Sequence, residues 1–182
     1  MRVAPGPTLE TERLILRPPA DVDFDGWAEL MADPVAARFI GGAQPRAVAW
    51  RIIAAFAGSW VLHGFGMFSV IEKSSGAWIG RIGPWRPEGW PGDEVGWGLL
   101  PSAWGKGYAV EAAIATIDWA FDHLGWTDVI HCIDPENVPS QQVARRLGAT
   151  NRGPCRLPEP HQDSKVEAWG QTAAQWRARP RR

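Results

Sequence analysis

Long apolar runs are missing from this chain: none reaches the roughly 18 residues that would cross a bilayer. The first residues also lack the basic-then-apolar order of a signal peptide, so no targeting segment is expected there. Charge of one sign is missing too. Nineteen Lys and Arg residues stand against twenty Asp and Glu, a formal net charge of −1. Without a basic field to gather phosphates, nucleic acid is not an expected partner. The one basic cluster, Arg177, Arg179, Arg181 and Arg182, reads as a solvated tail over 177–182. Cysteine is scarce. Cys132 and Cys155 fit no metal or redox spacing, which predicts no metal and a reduced, cytoplasmic setting. No linker or repeat interrupts the chain, so its 182 residues are expected to form one domain with a core from about 11 to 176.

Tryptophan, by contrast, is abundant: twelve residues run from Trp27 to Trp176 at no fixed interval. Most are expected to pack the core and its rim, and a few are candidates for lining a ligand pocket. Thr11–Pro18 alternates as a first strand closed by prolines. Asp21 or Asp23 is positioned to cap a helix bearing Phe24, Trp27, Leu30 and Met31. A second helix starts near Pro45 and turns Val48, Ile52, Phe56 and Trp60 inward. Gly66–Glu72 and Ala77–Gly83 read as a hairpin across Lys73-Ser74-Ser75-Gly76, followed by a loop at Pro84–Gly92 and a strand at Glu94–Leu100. Val110, Ala113, Ile114, Ile117, Phe121 and Leu124 keep a helical period, and Thr127–Ile133 is a buried strand. A short helix capped by Asn137 ends at Gly148, and Lys165–Thr172 is the last strand. The order is α/β with a mixed sheet.

Chemistry concentrates in Pro101-Ser102-Ala103-Trp104-Gly105-Lys106-Gly107-Tyr108-Ala109-Val110-Glu111-Ala112. A strand leads into glycines, and the glycines lead into a helix. That order builds an anion site, because side-chain-free residues let a phosphate reach the backbone and the first helical N–H groups point at it. A Walker-type loop needs Ser or Thr after its lysine, and the lysine after the last glycine; Tyr108-Ala109 stands there instead. A dinucleotide fingerprint needs a third glycine where Val110 stands.

The run that remains resembles the pyrophosphate loop of the GNAT N-acetyltransferases: Gln or Arg, two residues, Gly, one residue, Gly or Ala. Gly107 and Ala109 fill its last two fixed positions, and Trp104 stands where Gln or Arg is usual. That swap, with the whole Trp-Gly-Lys-Gly-Tyr-Ala run and Glu-Ala after it, is similar to the RimJ/RimL-type branch. So is Asn137-Val138-Pro139-Ser140, continued by Val143 and Arg145-Arg146-Leu147-Gly148. The resemblance spans about Thr11 to Trp176. It implies a mostly antiparallel sheet with helices on both faces, splayed between its fourth and fifth strands (β4/β5 in the family's order). Two positions depart from the pattern. Ala149 replaces a Phe, and Ala144 stands where many members place the tyrosine that protonates the leaving thiolate. The only tyrosine is Tyr108, inside the loop.

The resemblance implies an acetyl-CoA-dependent N-acetyltransferase acting by direct attack in a ternary complex, without a cysteine nucleophile. The donor's pantetheine arm adds to the strand edge at Leu99 and Leu100, and its pyrophosphate lies on Trp104, Gly105, Lys106, Gly107, Tyr108 and Ala109, with Asn137 nearby. Lys106 either adds charge at the rim or is merely exposed. An amine with a lysine-like pKa is mostly protonated at neutral pH, so a base or water relay is needed. Glu94, at the start of the donor strand, is the first candidate base; His63 and His131 follow. Each also has a bland reading, as a strand-end carboxylate and packed histidines. Ser140 is the candidate acid for the departing sulfur, or only a helix-start residue. The acceptor is a small-molecule amine or a protein N-terminus; membranes are not expected partners, and a homodimer is left open. The competing reading is a non-catalytic acyl-CoA sensor. A tryptophan-lined carbohydrate module has composition alone in its favour.

Overall fold

The computed structural model describes residues 4–179, so Arg181 and Arg182 lie outside the described residues. Its N-terminal half contains β1 (Leu9–Glu10), β2 (Leu14–Arg17), α1 (Phe24–Ala32), α2 (Arg46–His63), β3 (Phe68–Glu72), β4 (Trp78–Trp85) and β5 (Glu94–Leu99). The C-terminal half adds α3 (Tyr108–His123), β6 (Asp128–Ile133), α4 (Val138–Arg146), β7 (Thr150–Cys155), β8 (Val166–Thr172) and α5 (Ala173–Ala178). The strands form one sheet in the order β1-β2-β3-β4-β5-β6-β8-β7. Every neighbouring pair is antiparallel except β5 and β6. This is the mixed, mostly antiparallel α/β sheet expected. Because β1 adds one strand in front, the expected fourth and fifth strands are β5 and β6 here. Among the described residues no helix is long and apolar enough to cross a membrane.

Alternation decides which helices cover which face. Leu14 and Leu16, Phe68 and Val70, and Ile82, Val95 and Leu99 bury one face against Ala112, Ala113, Ile117 and Phe121 of α3. Each Leu, Ile or Phe hidden this way contributes about 1.5–3 kcal/mol. The residues between them, Ser69, Arg81, Gly83, Trp85, Glu94, Gly96 and Gly98, point to the other face, where α1 and α2 pack Trp27, Ile53 and Phe56 over Met67. Asp21–Asp23 forms a 3-10 turn, and Asp23 does not cap α1 with its side chain. Its carboxylate instead accepts two bonds from Arg17 at 2.7 Å, one from Ser69 at 2.7 Å and one from the Ala20 N–H at 2.8 Å. β2, β3 and the 3-10 turn meet at that buried group.

Four segments differ from the sequence reading. β4 continues through Pro84 and Trp85, expected as loop, because Pro84 faces Val95 at a position that asks for no N–H toward β5. β1 is only two residues long. β7 occupies residues assigned to no element or to a proline-rich loop. Its Asn151-Arg152-Gly153-Pro154 has no apolar alternation, and a bulge between Asn151 and Pro154 lets an edge strand carry the proline. α5 starts on a Thr172–Gln175 capping box, and its Arg177 lies 3.7 Å from Asp122 of α3. Arg179 lies 3.9 Å from Asp118. These two arginines thus lie near carboxylates of α3, where a solvated tail was expected from Arg177 onward.

Candidate active site

After β5 the chain makes a 3-10 turn at Pro101–Ala103 and enters the glycine loop. Gly105 and Gly107 have φ of +73° and +80°, the left-handed region that a side chain strains, and Gly107 is the N-cap of α3. The N–H groups of Ala109 and Val110 belong to the first turn and have no partner inside the helix. The loop is braced from three sides. The Trp104 indole donates to the Leu99 carbonyl at 2.8 Å, fixing the loop to the end of β5. Arg13 donates to the Lys106 carbonyl at 3.0 Å and to Glu111 at 2.7 Å. The Tyr108 hydroxyl donates to Glu72 on β3 and is held under the Arg13 guanidinium. Lys106 is exposed at the rim. Tyr108 therefore belongs to the loop's scaffold and faces away from β6.

β5 and β6 part immediately upstream of this loop, and side chains cause it. The parallel ladder begins normally, with the Ile130 N–H on the Asp93 carbonyl at 2.9 Å. In a regular ladder the Cys132 N–H would go to the Val95 carbonyl. It goes instead to the Glu94 carboxylate at 3.2 Å, while His131 Nδ1 takes the Val95 carbonyl at 2.7 Å. One residue pair, Glu94 and Ile130, is all the register the two strands share. Beyond it the open edge of β5 carries Trp97 and Leu99, whose backbone groups face away from β4. Leu100 does not extend this edge as expected: its N–H is bonded to the Ile79 carbonyl and its carbonyl to the Ala103 N–H, each at 2.9 Å. The Leu99 carbonyl is held by Trp104, which leaves the Leu99 N–H and both groups of Trp97.

Across the gap lies the start of α4. Asn137 Oδ1 accepts the Ser140 N–H at 3.2 Å, a side-chain cap of the first turn. The Ser140 hydroxyl accepts from the Trp97 indole at 3.2 Å and keeps its own proton to donate. Ser140 is thus aimed at the β5 edge by a residue of that same edge.

On the face toward α1 and α2, Glu94 is buried, bonded by the Cys132 N–H and the Trp90 indole. Burial pushes its carboxyl above the ordinary range, against the pull of those two bonds and of the Arg81 charge. A carboxylate of raised pKa is a better proton acceptor. His131 is the weaker base. Burial lowers it to about 4, so it is neutral at pH 7, and its ring lies 4.8 Å from that of Trp97. His63 is brought to no part of the site: it is exposed, against Phe65, which packs on Trp126 before the opposite end of β6. Burial also pushes both the Cys132 and Cys155 thiols up, and thiols held protonated are poor nucleophiles.

Comparison with known proteins agrees with this geometry. A family model described as Acetyltransferase (GNAT) domain matches residues 13–150, well over half of the chain. The chain belongs to the GNAT acetyltransferase family. It is similar to the crystal structure of the acetyltransferase from Agrobacterium tumefaciens str. C58, with 34% identity, a TM-score of 0.80, and coverage of 91% of this chain and 94% of that one. Among curated proteins it is 34% identical over 86 residues to the uncharacterized N-acetyltransferase YnaD of Bacillus subtilis (strain 168), covering 47% of this chain and 51% of that protein. It is 30% identical over 152 residues to the uncharacterized N-acetyltransferase p20 of Bacillus licheniformis, 82% of this chain and 85% of that protein. The match thus spans about half of the first of these relatives and most of the second.

Three residues of this candidate site escaped the sequence reading. Trp90 lies in a loop and reaches Glu94 only after the chain folds back. Trp97 was one tryptophan among twelve. Arg81 carried a readable signal: a cation in the middle of the buried run Trp78-Ile79-Gly80-Arg81-Ile82-Gly83.

Proposed function

We propose that the protein transfers the acetyl group of acetyl-CoA to a primary amine by direct attack in a ternary complex, and that it falls in the RimJ/RimL-like branch. The observation that carries this reading is the side-chain-made parting of β5 from β6, whose open edge runs straight into the braced glycine loop. The Trp97 and Leu99 backbone offers a strand-like partner to the pantetheine arm, and the loop and first turn of α3 offer N–H groups to the pyrophosphate. Glu94 takes the ammonium proton, directly or through water. The freed nitrogen lone pair then bonds to the thioester carbonyl carbon, and the carbon–sulfur bond breaks. The second nitrogen proton passes to the departing sulfur through the Ser140 hydroxyl or water, leaving the amide and free CoA. The Ser140 hydroxyl donates toward the departing thiolate, and the first turn of α4 favours that negative charge. The branch assignment rests on the Trp104–Ala109 run and on Asn137 with Ser140.

The test has two parts. Acetyl-CoA should raise the melting temperature well above what ATP or NAD does at equal concentration, because the β5 edge binds pantetheine as well as phosphate. A broad panel of amines should then release free CoA, and Ser140→Ala should slow turnover with acetyl-CoA affinity kept within a few fold. Stabilisation by NAD and not by CoA overturns the donor assignment. Tight acetyl-CoA binding with no release from any amine class makes the protein a sensor.

A further inference from the structure

Arg81 is the one charged residue in the middle of β4, and it is 8% exposed. A buried guanidinium normally pairs with a carboxylate, because an unpaired charge removed from water is costly. Among the described residues none lies within ion-pair distance of this one. Its Nε has no hydrogen-bond partner, and Nη1 donates only to the thioether of Met67 at 3.5 Å. The Phe56 ring of α2 stacks 5.1 Å away. Burial lowers its pKa to about 10, so it stays charged at neutral pH, helped by the field of Glu94.

Its position ties it to the proposed chemistry. Arg81 pairs with Gly98 on β5, one residue before the open edge at Leu99. Gly98 has no side chain to intervene; a Cβ there would stand 3.7 Å from Arg81 Nε and 3.5 Å from Ile40, which reaches over from the α1–α2 connection. Gly96 continues the glycine strip toward Glu94; a Cβ there would stand 3.1 Å from the Met67 methyl group and 3.4 Å from Glu94 Oε1. One face of β5 therefore offers a cation at one end and a carboxylate at the other, with two glycines between. That pattern complements a zwitterion: an ammonium toward Glu94 and an anionic group toward Arg81.

We propose that Arg81 binds the carboxylate of the acceptor, and that the acceptor class is a small amine bearing a carboxylate, of the amino-acid type. This rests on the acetyltransferase reading above. Polyamines have no group for Arg81, and an extended peptide N-terminus places an amide where the carboxylate would be. Polyamines and protein N-termini are thus disfavoured by the same buried charge.

The experiment compares matched acceptors that differ only there: a panel of amino acids, the corresponding carboxamides, spermidine-type polyamines and short amidated peptides. Free CoA release is read as kcat and KM. For the best acid, kcat/KM should exceed that of its amide by about tenfold or more, the difference lying in KM, as a buried charged hydrogen bond warrants. Arg81→Gln should bring the acid-to-amide ratio close to one, and Arg81→Lys should restore part of it. Amides, polyamines or peptides used as well as the acids by wild type overturn the assignment, and so does an Arg81→Gln variant that weakens acid and amide equally. Should Arg81→Gln fail to fold, the wild-type ratio alone decides. If no amine of any class releases CoA, the acetyltransferase reading fails first. Calorimetric binding of acid against amide to the CoA-saturated protein then settles Arg81: equal or absent binding overturns it, and preference for the acid upholds it.

Discussion

The glycine loop and the Arg81–Glu94 face are opposite kinds of candidate site within one molecule. The loop is exposed from Trp104 to Gly107, made from consecutive residues, and offers backbone N–H groups in a conformation that two glycines permit. The face is buried, assembled from β4, β5, β6, α2 and the β4–β5 loop, and offers side chains. A backbone site near water tolerates changes in most of its side chains and fails only when its geometry is lost. A side-chain site in low dielectric makes each charge strong and each loss costly.

The contrast is sharpest at Gly107. Gly107→Asp forces a side chain into φ +80° and brings a negative charge to the anion site. Acetyl-CoA at a hundred times its dissociation constant should stabilise wild type by about 2.7 kcal/mol, and the variant should show no such rise in melting temperature. A retained rise would remove the loop from the donor site. Glu94→Gln comes next. Loss of a general base predicts a fall in kcat/KM of about a hundredfold at neutral pH. The fall should shrink toward pH 9, where more of the amine is already deprotonated. Measured between about pH 6 and 9, a constant ratio of variant to wild type would leave Glu94 with a positioning role only.

The smallest effect concerns His131 and is one of stability. Folding lowers its pKa from 6.5 to about 4. Between those values the unfolded chain takes up a proton that the folded one refuses, so stability present above pH 6.5 is lost as pH falls. The loss amounts to about 2 kcal/mol by pH 5. His131→Gln keeps an N–H for the Val95 carbonyl but has nothing to titrate. Urea unfolding at pH 7.5 and pH 5 should show the variant losing less. Glu94, shifted upward, acts in the opposite sense in both proteins and cancels from the difference. Equal losses in the two proteins would show that His131 is not held neutral.

How far each region could be read in the sequence follows from the same division. The loop announced itself because its chemistry is local: Gly105 and Gly107 must be glycine for backbone reasons, and α3 follows at once. The helices and apolar strands were readable from period alone. The parting of β5 and β6 was expected only through family likeness, since its cause is an exchange of partners between residues nearly forty positions apart. Leu100 was misassigned because strand alternation does not say which neighbour each N–H faces; that required the register with Ile79. β7 was missed because an edge strand with a glycine-proline bulge gains its partners from β8 and not from its own sequence.

That bulge has a consequence beyond the local fold. A sheet grows by adding chains to its free rims, and native proteins blunt them. Here one rim is the two-residue β1, and the other is β7, where Pro154 has no N–H to offer and Gly153 turns the backbone at φ +96°. Neither rim is a template for another molecule. Among the described residues the unpaired backbone that remains suited to receiving a strand lies inside the sheet, on β5 at Trp97 and Leu99. Among the described residues the rims of the sheet are blunted, and its gap in strand pairing lies at the centre, where we propose that the slender pantetheine arm adds.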